Sequence, residues 1–412
     1  MASFNPGDVL IDKIQIVSPR TSSWNLAPNF LSCDIFESIF TPAVLAYIEV
    51  LDDRDYLGTY AKLAGDELVI FTFRVPNKQQ VSYSFHLNSV KDIVNEGANK
   101  SKVYKLECIS REALTGQVNH VQKAYDGTID EMVQDIVKTK LNTKLPLDAE
   151  KTKGKSKRVI VNQPALQVIE THRKEAVSDK NKGSNFMFWQ TWRGFYFQSL
   201  EYMMQKNDVK KFKHINTVGH DIRTSIDDNI LAYEVKQNMD AASRIKAGVM
   251  NHRITTYDPH THAYVSQDFK PKGEEMTNLG KGIITTLASF TDLFSDPSYN
   301  KTHFRVNNPN LSVGLGKSFV PESIPYKQLN MAQMQEQMLH LTVIGDPVLE
   351  PGKTINAVIN KITGETISNQ QDTQASGRWL ISKTHHQIRR ANQLPRYVMS
   401  LECLKGSYEE KV

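Results

Sequence analysis

Residues 66–89 read DELVIFTFRVPNKQQVSYSFHLNS, and the reading of this stretch decides the fold. Apolar side chains recur at every second position: Val69, Phe71, Phe73 and Val75 before the break PNKQ (76–79), and Val81, Tyr83, Phe85 and Leu87 after it. A period of two places those residues on one face of a strand and Ser82, Ser84, His86 and Asn88 on the other. A Pro-Asn break between two such runs is turn chemistry, so the stretch predicts neighbouring antiparallel strands with one buried face. Working outward, AYIEVLD (46–52) and VYKLECIS (103–110) alternate in the same way, with NEGANKSK (95–102) as a second turn-rich connection. Several short strands with such turns predict a small barrel or sandwich over residues 1–112.

The pattern then turns helical. Thr128 followed by Glu131 fits a capping box, and Ile129, Met132, Val133, Ile136, Val137 and Leu141 follow at helical spacing, predicting a helix over 128–141. Pro164 suits the first residue of a second helix, PALQVIETHRKEAV. Between 185 and 204 the chain reads NFMFWQTWRGFYFQSLEYMM, in which eight of twenty residues are aromatic and only Arg193 and Glu201 are charged. Trp192-Arg193-Gly194 divides it, predicting a hairpin with a three-residue loop and Gly194 in a left-handed conformation. Both strands are apolar on both faces. Such strands are covered on both sides, by domain or by subunit packing.

From about 229 the β pattern returns in ILAYEVKQ and in a hairpin through VMNHRITTYDPHTHAYVSQDF whose turn is Asp258 to Thr261. The stretch 271–325 reads as an irregular polar insertion, and a helix follows over about 323–337. QMLHLTVIGD, KTINAVINKI, GRWLISKTHHQI and RYVMSLECLKG are strands, with TGETISNQQDTQASG (363–377) as a long polar loop. VYKLECIS and VMSLECLK share Leu-Glu-Cys in the same strand phase, the trace that two copies of one barrel would leave.

At 412 residues the chain holds two to four domains and a core that needs no disulfide or metal. Cys33, Cys108 and Cys403 are few, odd in number and far apart, as free buried thiols are. No basic start followed by an apolar run and no eighteen consecutive apolar residues occur, so neither a signal peptide nor a membrane span is predicted. The net charge of +5 is mild, but KTKGKSKR (151–158) and KNDVKKFKH (206–214) concentrate lysine. They read as solvated loops, with an acidic partner or nucleic acid as the other reading. Asp258, His260 and His262 in YDPHTH offer too few ligands for a zinc site, and His385-His386 in a strand point to opposite faces. GLGK (314–317) lacks the rest of a phosphate loop, and no nucleophile or zinc-protease motif occurs. No catalytic residue, metal site or cofactor is therefore predicted.

Three stretches carry a family resemblance: AYIEVLDDRDYLGTYAKLAGDELVIFTF, the aromatic hairpin, and LNMAQMQEQMLHLTVIGDPVLEPGKTI followed by GRWLISKTHHQI and RYVMSLECLKG. In the order of its elements the chain resembles the baseplate central hub protein of contractile-tailed, T-even-type bacteriophages, a family related to the head of type VI secretion spike proteins. The resemblance spans most of the chain as a pattern of elements with few identities.

The resemblance implies an α+β, mainly antiparallel β protein with two similar small tail-tube-like barrels and an inserted helical and hairpin domain. The first barrel would cover 1–112, the inserted domain 113–228, and the second barrel 229–270 together with 328–412, interrupted by the insertion 271–327. It implies a non-enzymatic virion component: a homotrimer in the tail baseplate, assembled in the host cytoplasm, that adapts a threefold central spike below to a sixfold tail tube or tube-initiator ring above. Tape measure protein and then DNA would pass its lumen without specific binding, with baseplate wedge proteins as further partners. Both lysine clusters are then expected outside the lumen. Trp189, Trp192, Phe195 and Phe197 are the candidate intersubunit packing residues, with core packing as the other reading. Two further functions stay open at this point, a tail-associated cell-wall hydrolase and a nucleic-acid-binding protein using the Lys-rich loops.

Overall fold

The computed structural model describes residues 5–20, 23–53, 57, 63–95, 101–180, 183–214, 226–237, 240, 242, 252–258, 262–269, 284–285, 301–306, 320–363, 366–372, 374–391, 394–405 and 407–408. The first half supplies β1 (Leu10–Val17), β2 (Trp24–Asn25), β3 (Phe30–Ser38), β4 (Leu45–Asp52), β5 (Leu68–Arg74), β6 (Gln80–Asn95) and β7 (Lys102–Ser110). They lie in the order β3-β4-β7-β6-β5-β1-β2, and every neighbouring pair is antiparallel. Val69, Phe71, Phe73, Val81, Tyr83 and Phe85 all lie on the buried face, as their period requires. β1 and β3 go beyond the four runs visible in the sequence. In β3 the inward Glu37 and the outward Ser32 are both buried, which blurs the apolar alternation.

The inserted segment supplies α1 (Arg111–Val118), β8 (His120–Gly127), α2 (Ile129–Thr139), β9 (Leu147–Ala149), β10 (Ser156–Pro164), α3 (Ala165–Arg173), β11 (Phe186–Gln190), β12 (Phe195–Ser199) and α4 (Leu200–Gln205). The capping box of α2 forms, with the Thr128 amide donating to Glu131 Oε2 at 3.0 Å. Pro164 stands at the N-cap of α3, one residue before the position expected, where its extended backbone also ends β10. The Lys-rich segment is a loop only to Lys155, and from Ser156 it runs into β10, which pairs with β8.

β11 and β12 form the aromatic hairpin, but its loop differs from expectation. Thr191 and Gly194 exchange backbone hydrogen bonds of 2.9 and 3.3 Å, leaving Trp192-Arg193 as a two-residue loop. Gly194 is absent from the positive-φ residues. Its requirement is space, since a Cβ there would lie 2.5 Å from the Pro146 carbonyl oxygen.

The remaining strands are β13 (Lys210–Lys213), β14 (Ile230–Gln237), β15 (His252–Asp258), β16 (Ala263–Phe269), β17 (Ile284–Thr285), β18 (Lys301–Val306), β19 (Gln337–Ile344), β20 (Thr354–Val358), β21 (Asn360–Thr363), β22 (Thr366–Gln371), β23 (Gly377–Arg389), β24 (Arg396–Lys405) and β25 (Ser407–Tyr408), with α5 over Val320–Met334. The second lysine cluster is a strand in part: Phe212 of β13 is fully buried and β13 pairs in parallel with β20. The stretch 363–377 is likewise no simple loop, because β22 folds back on β21. β15 and β16 make the expected hairpin, joined by β18 in a separate three-stranded sheet. Of its turn, 259–261 lie outside the described residues, as does GLGK and most of 271–319.

β23 joins the two halves. Its N-terminal end pairs with β20, its C-terminal end with β3, and β24 flanks it along the other edge. The result is one 13-stranded sheet, β14-β19-β24-β23-β3-β4-β7-β6-β5-β1-β2 with β20 and β13 beside the path. The named strands alone do not close either half into the barrel expected, but isolated bridges link their ends: Lys213 with Asn229 joins β13 to the start of β14, and Asp8 with Arg396 joins the chain before β1 to β24. A single core, from Ile14 and Phe71 to Trp379 and Met399, runs under both halves. The two Leu-Glu-Cys strands hold matching places. β7 lies in the run β3-β4-β7-β6-β5 and β24 in the run β20-β23-β24-β19-β14, both antiparallel throughout, with Leu106, Cys108, Leu401 and Cys403 all buried.

Candidate functional site

Strand register determines which side chains share the face opposite this core, because directly paired residues point the same way. From β7 to β14 these are Lys105 and Glu107, Glu49 and Tyr47, Ser32, Asp34 and Phe36, Gln387, His385 and Lys383, Glu402 and Ser400, His340 and Thr342, then Glu234 and Lys236. The face crosses the β3–β23 junction without a break. Its charges are matched locally. Glu107 accepts from Ser89 Oγ at 2.9 Å and pairs with Lys91 at 2.7 Å, while Glu49 accepts from Ser32 Oγ at 2.6 Å with Lys105 at 3.5 Å. Asp34 holds Arg389 Nη2 at 2.7 and 2.8 Å and His385 Nε2 at 2.8 Å, and Glu402 holds Lys383 at 3.0 Å. The Lys91 ammonium holds the Glu107 carboxyl below the usual range. Burial pulls the His385 ring down, against the opposing effect of Asp34, and the ring stacks on Phe36 at 4.2 Å between centroids. The surface can therefore present carboxylates and cations in compensating pairs, and among the described residues it carries no run of unpaired lysines that would grip a polyanion.

The aromatic hairpin lies on the other side of the junction and is a middle layer. Phe186, Phe188, Phe195 and Phe197 face the core of the inserted segment with Ile136, Val168 and Ile169. Met187 and Trp189 face a separate cluster containing Ile39, Met203, Met334, Leu380 and Leu404. That is why the sequence is apolar on both faces. Trp189, Phe195 and Phe197 are 0–1% exposed within the single chain and offer no surface to another, whereas Trp192 remains partly exposed. Of the four predicted packing residues, the hairpin pairs Phe195 and Phe197 with Gln190 and Phe188 across its strands, while Trp189 stacks on Tyr196 at 5.1 Å.

Polar anchors pin the hairpin tip to the junction. The Trp192 amide and the Tyr83 hydroxyl both donate to Glu37 Oε1, at 3.1 and 3.0 Å, and Trp189 Nε1 donates to the Pro351 carbonyl at 3.2 Å. Arg193 Nε lies 2.9 Å from Glu350 Oε1 and Lys353 Nζ lies 2.6 Å from Glu350 Oε2. Burial raises the Glu350 carboxyl, while Lys353 and then Arg193 oppose it. A second tie joins three parts of the chain at Asp346, which pairs with Lys78 at 2.8 Å and with Lys210 at 3.1 Å. Burial opposes ionisation of Asp346, yet Lys78, the Val348 amide and Lys210 together leave its carboxyl below the ordinary range. Glu37 and Asp346 escape sequence reading because the partners of each single acid lie far away in the chain, and Glu350 because Arg193 reaches it from a distant segment, although Lys353 is only three residues on. The one signal available is an acidic residue at an inward position of an alternating strand, as for Glu37.

Among the described residues there is no group of three or more His, Cys, Asp or Glu positioned to hold a metal ion, and no helix is long and apolar enough to cross a membrane. His262 bonds Tyr257 through its Nδ1 at 2.9 Å.

No protein-family model and no curated protein matches the sequence. Solved structures do match the fold. The tail protein from Neisseria meningitidis MC58 aligns over 95% of this chain and 96% of its own, with a TM-score of 0.57 at 10% identity. The 43 kDa tail protein of prophage MuSo2 from Shewanella oneidensis aligns over 95% and 97%, with a TM-score of 0.54 at 9% identity. The c3393 protein of E. coli, a component of the type VI secretion system, aligns over 98% and 79%, with a TM-score of 0.48 at 9% identity. The chain is similar in fold, nearly end to end, to the two tail proteins.

Proposed function

We propose that this chain is a structural component of a phage tail and, within it, the central hub of a contractile-tail baseplate. The observation that carries the reading is the continuous charge-paired face running across both halves of the sheet. In a homotrimer the two related strand runs of each chain would give six similar wall segments around one opening, which fits a threefold spike below and a sixfold tube or tube-initiator ring above. Tape measure protein and DNA would move past a wall of compensated charges, where few phosphates are neutralised and transit stays fast. The lysines of 151–158 and 206–214 lie outside that wall in this reading. Lys157 pairs with Asp126, and Lys210 is held by Asp346 and Asp228, so part of each cluster serves the fold. Trp192, the partly exposed member of the aromatic set, is the residue left to pack against a neighbouring chain.

Light scattering on the purified chain, followed by negative-stain averaging, tests this. The expected result is three times 46.8 kDa and a ring with an open centre and near-sixfold outline. A particle that stays single when co-expressed with the neighbouring tail genes overturns the reading.

A further inference from the structure

One cleft on the molecule opens beside the hairpin tip, with Trp192 in its lining. It has a volume of about 430 Å³, within the usual range for ligand sites, and lies between β6, the first turn of α1, the loop 142–145 and the hairpin tip. Arg111 and Lys144 stand exposed at its rim, and neither has an acidic partner among the described residues. The first turn of α1 adds backbone amides that have no partners inside the helix, and Ser110 does not cap them with its side chain. The one carboxylate lining the cleft is already engaged: Glu112 accepts from Thr143 Oγ1 at 2.8 Å and from Gln190 Nε2 at 2.9 Å. The local balance is therefore cationic.

Two buried polar atoms of lining residues lack partners, Gln190 Oε1 and Trp192 Nε1. Gln190 is 4% exposed, and its bond to Glu112 fixes the amide, because turning it over would oppose two acceptor oxygens. The lining thus offers an unmatched acceptor and an unmatched donor two residues apart in sequence, together with two unmatched cations. A free inorganic anion answers only the cations. A peptide bearing an acidic side chain answers all of them: its amide N–H matches Gln190 Oε1, its carbonyl matches the indole N–H, and its carboxylate matches Arg111 and Lys144.

We propose that this cleft binds a glutamate- or aspartate-bearing peptide segment of another chain, with the carboxylate between Arg111 and Lys144 and a peptide amide on Trp192 and Gln190. Entry turns the Trp192 side chain, which sits on the two-residue loop and keeps part of its surface free, to open both orphaned atoms.

The test uses the full chain labelled with 5-fluorotryptophan, which has four tryptophans and so four fluorine resonances. The Trp192 line is assigned by its loss in Trp192→Phe. Titration with acetyl-Gly-Glu-Gly-amide is expected to shift that line saturably, with acetyl-Gly-Gln-Gly-amide and sodium acetate at least tenfold weaker. Arg111→Gln and Lys144→Gln, both at exposed positions, are each expected to weaken binding about two- to fivefold, the range of exposed ion pairs. Three results overturn the proposal: no saturable shift, an equal response to the glutamine peptide or to acetate, or an unchanged affinity in both variants. Particle mass measured on the same samples reports the hub reading separately.

Discussion

Gly352 and Gly65 both hold left-handed backbone, at φ +86° and +92°, but their surroundings differ. A Cβ at Gly352 would meet the Trp189 ring at 2.4 Å, whereas at Gly65 it meets two backbone oxygens at 3.8 and 4.0 Å, ordinary contact distances. Gly65→Ala is therefore expected to cost about 1–2 kcal/mol from conformation alone, and Gly352→Ala about 3–5 kcal/mol because the hairpin core must also shift. Urea unfolding of the two variants checks the contrast. Asp346 makes a prediction with a sign. Its folded pKa is depressed, so its contribution is fully present above the unfolded value of 3.8 and is lost as pH falls through the lower folded value. Asp346→Asn should cost about 2–4 kcal/mol at pH 7, the scale of a broken buried pair. The gap to wild type should shrink only below pH 3.8, and a gap already closing at pH 5 would place the effect elsewhere. Pro351-Gly352 is legible in the sequence as a turn. The role of Asp346 is not, because Lys78 and Lys210 reach it from 268 and 136 residues away.

At the scale of elements, the aromatic hairpin was visible as strand, turn and strand, and visible as covered on both sides. What covers it was not, since α2 and α3 on one face and α4, α5 and β24 on the other are brought there by the fold. The consequence separates two tryptophans that composition treats alike. Trp189→Ser removes a buried ring and its bond to Pro351 and should destabilise the single chain by about 3–5 kcal/mol. Trp192→Ser keeps the backbone bond to Glu37 and should change chain stability by less than about 1.5 kcal/mol while weakening particle assembly. Thermal unfolding beside sedimentation velocity distinguishes the two, and a Trp192 variant that assembles normally removes that ring from the interface proposal.

At the scale of the whole molecule, the wall proposal rests on charge compensation rather than on any one side chain. Replacing Asp34, Glu49 and Glu107 together by Asn, Gln and Gln would remove three carboxylate charges from beside Arg389, Lys105 and Lys91. The triple variant is expected to gain DNA binding that weakens steeply with salt, at a slope of about −0.9 per phosphate contacted, where the wild type shows little at physiological salt. Filter binding across a salt series measures it, and equal binding by both proteins would show that this face does not meet DNA.

The sequence by itself determined the strands, the capped helix, the hairpin and the repeated Leu-Glu-Cys, because each is written in periods of two or 3.6 residues that depend only on near neighbours. It also carried the order of elements on which the tail resemblance rests. Only the tertiary structure decided that β23 runs from β20 across to β3, so that the two strand runs share one sheet and one core. The same structure collected Asp34, Glu49, Glu107 and Glu402 with their cations onto one face, and it buried Trp189 while leaving Trp192 partly exposed. Those outcomes depend on which distant strands meet and in what register, and a one-residue change of register would send every such side chain to the opposite face.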